Sequence, residues 1–349
     1  MTTSILFFAT NRNPLSSNGE ITDYGDRFNP VHPHELRFGY VEVDLGDNWA
    51  GRTIEGLIAS LDKKPLKLRT YKENLSKSKK DLVLGSRTMF DNLAQSMTDD
   101  TPTLVFVHGY ANSFKSAVVA ATVFQEKLRQ DDFKINVVLF SWPSDGSHLY
   151  KAYFSDRRDA SASGMAFVRG FLKLKDFLSK IPKKKACEQS IHLLCHSMGN
   201  FVLEKTLREM PLDCPGRLPH LFDEIILAAA DVDHDGFEYD HKLARLPEIC
   251  RRVTVYFNRN DKALTLSDTT KGNPDRLGQK GPRKPLDVPS GVVLTDCSEV
   301  AISGLTESGH SYFLEDRIRN DIIETLGGVR EDNIKGREYM ASSNAYMLK

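Results

Sequence analysis

The sequence predicts an α/β protein with a mostly parallel central sheet, helices on both faces and an N-terminal extension of mixed strands. Three observations point there. From about residue 100 onward, short β-rich apolar runs alternate with helix-like stretches, the rhythm of parallel strands covered on both faces. Those stretches carry their apolar residues close to the helical period. Before residue 100 the apolar residues alternate with polar ones instead, as in a mixed or antiparallel edge.

Taken in order, Ser4 to Asn11 and Phe38 to Leu45 are the N-terminal strands. Between them, Asn13 to His34 is rich in Asn, Pro, Gly and Ser and reads as a long loop. The basic stretch Lys63 to Lys80 reads as an exposed connection. The core strands follow at Thr103–Val107, Ile135–Phe140, Ser190–Leu194, Glu224–Ala228, Arg252–Phe257 and Gly291–Thr295. Helices are expected over Phe114 to Leu128, over Met165 to Phe177 and over Ser311 to Leu326, the last stopped by Gly327-Gly328. Asp268 to Ser290 has many Gly, Pro, Lys and Arg residues and reads as irregular, a length typical of functional loops. The expected organisation is one domain over residues 1–349. Its parts are N-terminal strands and loops (1–100), a core (101–265), an irregular loop that could act as a lid (266–300) and a C-terminal helical part (301–349).

Composition narrows the function. Lys plus Arg and Asp plus Glu both count 47, so the balance favours neither nucleic acid nor an anionic membrane as partner. The Lys183-Lys184-Lys185 cluster reads as a solvated loop after a helix. Five cysteines (Cys187, Cys195, Cys214, Cys250 and Cys297) show no C-x-x-C pair, which argues against a disulfide framework and against a zinc site. Ile5 to Phe8 is too short for a signal peptide, and no run reaches the roughly eighteen apolar residues of a membrane span. A cytoplasmic protein without stable membrane insertion is expected.

The chemistry centres on Leu193-Leu194-Cys195-His196-Ser197-Met198-Gly199-Asn200. This run joins a β-rich strand to a helix, the context of the G-x-S-x-G nucleophile elbow. A tight turn lifts the serine clear of the sheet, and small neighbours two residues either side make room for it. The helix starting behind it aims free amides at developing negative charge. Gly199 meets the size requirement; Cys195 stands where the pattern has glycine. Upstream, Val107-His108-Gly109-Tyr110 closes a strand where this fold supplies an oxyanion-hole amide. Tyr110 and Met198 are therefore the two expected donors. His108, Gly109, Trp142 and His196 are expected around the substrate, although His108 reads first as a structural residue holding the loop and Trp142 reads equally as a packed aromatic.

Asp261 follows the strand ending at Phe257, and His310 stands before the final helix. The order Ser, Asp, His is that of α/β-hydrolases. Asp231, in Ala230-Asp231-Val232-Asp233, also ends a strand and is the alternative acid. Arg276, Arg283 and Lys284 read as solvated, with binding of a substrate carboxylate as the rival reading.

The elements Phe8-Ala9-Thr10-Asn11-Arg12, Val107-His108-Gly109-Tyr110, Ser141-Trp142-Pro143-Ser144, Cys195 to Asn200, Ala230 to Asp233 and His310-Ser311-Tyr312-Phe313 resemble the α/β-hydrolase family catalogued as domain of unknown function 900. The resemblance covers nearly the whole chain. It implies the α/β-hydrolase fold and a site at Ser197, Asp261 and His310, and little about substrate. The combined expectation is a carboxylesterase acting on a small-molecule ester, with no cofactor and no metal. Amidase and acyltransferase activities, or a non-catalytic binding role on the same fold, are the alternatives.

Overall fold

The apolar runs become strands within a residue or two of their expected ends. In chain order the strands are β1 (Thr3–Thr10), β2 (Arg12–Ser17), β3 (Glu20–Phe28), β4 (Arg37–Asp44), β5 (Lys67–Thr70), β6 (Thr103–Val107) and β7 (Asn136–Ser141). They continue as β8 (Ile191–His196), β9 (Phe222–Ala228), β10 (Cys250–Phe257), β11 (Val292–Asp296), β12 (Arg337–Met340) and β13 (Ala345–Leu348). This computed structural model describes residues 3–30, 32–61, 66–71, 84–97, 101–146, 150–180, 190–213, 218–264, 274–301 and 310–349. By internal contacts the chain forms two units, Met1–Ser190 and Ile191–Lys349.

In the first unit β6 and β7 run parallel, β7 and β1 run parallel, and β4 and β5 add antiparallel strands at the edge. Every residue of β7 is buried, as a strand covered on both faces requires. The helices are α1 (Ile54–Leu61), α2 (Gly85–Ser96), α3 (Phe114–Gln130) and α4 (Tyr150–Lys180). The Ser113 side chain caps α3 by accepting the Ser116 amide at 3.1 Å.

Two expectations for this unit change. Asn13 to His34 is largely a hairpin of β2 and β3, not a loop. Asn18 and Gly19 turn it with φ of 52° and 80°, the doubly left-handed turn that matches strand twist. The basic connection 63–80 contains β5, whose residues alternate between exposed and half-buried, so an edge strand carries its charges outward. Residues 63–65 and 72–80 of that connection lie outside the described residues, as do Lys183-Lys184-Lys185.

In the second unit β8, β9, β10, β11 and β13 lie side by side in parallel, and β12 pairs antiparallel with β13 at the edge. Helix α5 (Gly199–Asp213) follows β8, and α6 (Asp316–Leu326) precedes the terminal hairpin. The expected helix from Ser311 starts later: Tyr312–Leu314 form a 3-10 turn first. Tyr312, Phe313 and Leu314 are all buried, and three consecutive buried residues suit no single face of an α-helix. The hairpin is tied to α6 by Arg337, whose side chain pairs with Asp321 at 2.6 Å. Of the cysteines, Cys195, Cys250 and Cys297 are buried free thiols; Cys187 and Cys214 lie outside the described residues. Among the described residues no helix is long and apolar enough to cross a membrane.

Candidate active site

Ser197 occupies the one-step turn between β8 and α5 with φ of +54°, a left-handed conformation that costs a non-glycine residue about 1–2 kcal/mol. The surroundings hold it there. Its amide donates to the Ala228 carbonyl at 2.9 Å, and its carbonyl accepts the Asn200 and Asp231 amides at 3.1 and 3.2 Å. Asn200, fully buried, donates from Nδ2 to the carbonyls of Cys195, Ser197 and Ala228. One side-chain amide thus ties both strand ends to the turn. Cys195 fits without any exposed surface, and Met198 follows at the helix start, where amides are not yet used by the helix.

Asp261, fully buried after β10, accepts the amides of Ala263 and Leu264 on Oδ1 at 3.0 and 3.1 Å. Its Oδ2 lies 2.7 Å from His310 Nδ1. A carboxylate there can only accept, so Nδ1 carries the hydrogen and a neutral His310 keeps its lone pair on Nε2. Burial disfavours protonated His310, but the Asp261 charge and hydrogen bond, with a smaller contribution from the Asp231 charge, outweigh it and raise the pKa above the ordinary histidine value.

Two neighbours hold His310 to this frame. His196, the residue before Ser197, donates from Nε2 to the His310 carbonyl at 3.2 Å, and their rings lie 4.9 Å apart. Burial, helped by the His310 charge, lowers the His196 pKa to about 3, so it is neutral near pH 7. The Tyr312 hydroxyl accepts the Ala229 amide at 2.8 Å and donates to the Tyr256 carbonyl at 2.7 Å. It thereby pins the histidine segment to the ends of β9 and β10. Nothing in the pattern of the sequence separates this tyrosine from an ordinary core residue.

Asp231 is committed elsewhere. Its Oδ1 lies 3.2 Å from Arg276 Nε, and Arg276 also reaches Asp233 Oδ1 at 2.6 Å. Arg276 is only 1% exposed, which corrects its reading as a solvated cation: two carboxylates compensate its burial. Arg283 does sit at the surface, paired with Glu238 beside Lys284. Of the irregular stretch, 268–273 lies outside the described residues. The rest is ordered by backbone bonds from Leu277 to Val232 and from Gly278 to Ala230.

His108, Gly109, Tyr110 and Trp142 belong to the first unit. Trp142 and His108 are both buried, stacked at 5.1 Å and 11°, with Trp142 Nε1 donating to the His108 carbonyl at 2.9 Å. His108 Nδ1 donates to the Gly109 carbonyl at 2.8 Å. The fully buried Arg12 donates to Ser141 Oγ and to the carbonyls of Gly25, Asn112 and Ser144, and burial lowers its pKa to about 9. Both His108 and Trp142 are thus packed and hydrogen-bonded within this loop. Tyr110 is half-buried, edge-on to Tyr153 at 5.5 Å. Among the described residues no group of three or more His, Cys, Asp or Glu side chains could hold a metal ion.

No curated protein matches the chain. The solved structure of a lipase-esterase related protein from Clostridium acetobutylicum ATCC 824 aligns over 67% of this chain and 97% of that one. Identity is 14% and the TM-score 0.33, a likeness too loose to carry weight. The family model for "alpha/beta hydrolase of unknown function (DUF900)" matches residues 87–330, well over half of the chain. With its parallel sheet, covering helices and antiparallel N-terminal strands, the protein has the α/β-hydrolase fold and belongs to this family.

Proposed function

We propose that this hydrolase-family protein is a serine carboxylesterase with Ser197 as nucleophile, His310 as general base and Asp261 as the acid that orients it. The observation that carries the reading is the 2.7 Å bond between His310 Nδ1 and Asp261 Oδ2. It leaves the Nε2 of a neutral imidazole as the basic atom, on a histidine that touches the residue preceding a strained, elbow-borne serine.

The reaction runs in two steps. His310 Nε2 takes the Ser197 proton as the serine oxygen attacks the ester carbonyl carbon, and Asp261 stabilises the imidazolium. The oxyanion is met by the Met198 amide at the start of α5, a donor of a kind worth roughly 3 kcal/mol in such sites. His310 then returns the proton to the departing alkoxide, leaving an acyl-enzyme. Water, deprotonated by His310, releases the carboxylic acid and restores Ser197.

A fluorophosphonate probe tests the nucleophile directly: labelling of the native protein and none of Ser197→Ala is the expected result. A folded native protein that stays unlabelled overturns the proposal. A panel of p-nitrophenyl esters of rising acyl length then tests the ester class.

A further inference from the structure

We propose that Arg276 is a positioning residue that holds Asp231 and offsets part of its charge, so that Asp261 is the carboxylate that orients His310. The inference rests on the catalytic reading above and deepens it.

Parallel strands β9 and β10 each end in a loop bearing a buried aspartate, Asp231 and Asp261. Two uncompensated carboxylates in neighbouring loops would raise the cost of burying both. The segment around Arg276 lowers that cost. Its guanidinium engages Asp231 through Nε and Asp233 through a terminal nitrogen. Its backbone is fixed along the Asp231 loop, where Gly278 donates to the Ala230 carbonyl at 2.9 Å. At Gly278 a Cβ would lie 2.1 Å from the Ala230 nitrogen, so only glycine permits this approach.

The same segment reaches the Asp261 loop. The Gly278 carbonyl accepts the Asn258 amide at 3.0 Å, and Gln279 Nε2 donates to the Asp261 carbonyl at 3.1 Å. One short stretch therefore braces the two acid loops while placing a cation against only one of the acids. The titratable and charged groups facing His310 are Asp261 from the loop after β10, Asp231 from the loop after β9 and neutral His196 from the end of β8. Arg276 acts on His310 through Asp231.

The test is the His310 protonation midpoint by NMR in the full-length protein, the resonance being assigned with His310→Gln. Asp231→Asn leaves the Arg276 cation partly unbalanced and is expected to lower the midpoint by about one pH unit. Arg276→Met exposes His310 to an Asp231 charge no longer offset by Arg276 and is expected to raise it by a similar amount. The double variant removes both charges and is expected to return near the native midpoint; Asp233 keeps Lys242 as a partner throughout. If Arg276→Met does not fold, Asp231→Asn and the double variant decide. An unmoved or raised midpoint in Asp231→Asn overturns the proposal. So does a double variant that retains the full shift of the single one. Because the readout is a titration, a native protein without esterase activity would sink the catalytic reading while leaving this coupling measurable.

Discussion

His196 Nε2 donates a hydrogen bond to the backbone carbonyl of His310 across 3.2 Å, joining residues on either side of the site. The donor is the Nε2–H of the imidazole, and burial keeps His196 neutral down to about pH 3. His196→Phe preserves the ring packing against Phe313, 4.9 Å away, and removes the donor. The expected result is a fall in kcat/KM of roughly tenfold, matching a lost bond of about 1–1.5 kcal/mol. Steady-state kinetics on an activated ester checks it.

Tyr312→Phe removes one hydroxyl that serves two backbone groups, the Ala229 amide and the Tyr256 carbonyl. Both would stay buried without that partner. A loss of about 2–3 kcal/mol in unfolding free energy is expected, measured by urea denaturation.

Asn200 faces three carbonyl oxygens with one side-chain NH2 group. Asn200→Ala is expected to cost about 1–3 kcal/mol. Asn200→Asp presents an acceptor to those acceptors and is expected to cost more than the alanine, or to prevent folding. The order of the two variants in thermal unfolding is the check.

Gly278→Ala places a methyl group against the backbone of Ala229 and Ala230, 2.1–2.3 Å from its atoms. Backbone cannot yield as a flexible side chain can. The expected loss is about 3 kcal/mol, and the His310 midpoint should shift with it because the Asp231 loop moves. Unfolding and titration of the same sample test both.

The histidines set opposite pH dependences. His192 is buried on β8, neither ring nitrogen has a hydrogen-bond partner among the described residues, and burial lowers its pKa to about 4. The unfolded state takes up its proton first, so stability falls as pH drops from the unfolded value near 6.5 towards 4. His192→Leu is expected to recover about 2 kcal/mol at pH 5 relative to pH 8. His310, with its pKa raised, contributes stability below the unfolded pKa that is lost as pH rises through the folded one. On the proposed mechanism its deprotonation is expected to set the acid limb of kcat/KM, above the ordinary histidine value and lowered by Asp261→Asn. Unfolding curves and a pH–rate profile separate the two effects.

The strands of the parallel sheet were legible because burial on both faces writes a near-continuous apolar run, as in β7 and β9. The β2–β3 hairpin was not, although Asn18-Gly19 marks its turn: its strands are polar and mostly exposed or half-buried. The four-residue strands β12 and β13 carry too few residues to show a period. Arg276 read as solvated because a cation's burial depends on carboxylates more than forty positions away.

By itself the sequence determined the α/β class, the strand–turn–helix around Ser197 and the two aspartates from which an acid could come. These are local: apolar periods, a tight turn and strand ends are properties of neighbouring residues. Only the tertiary structure decided that Asp261 bonds His310 and that Asp231 is held by Arg276. Both acids end strands in the same way, and their local sequences look alike in kind. What separates them is the segment after Arg276, whose close backbone approach at Gly278 puts a buried cation on one carboxylate and leaves the other to the histidine.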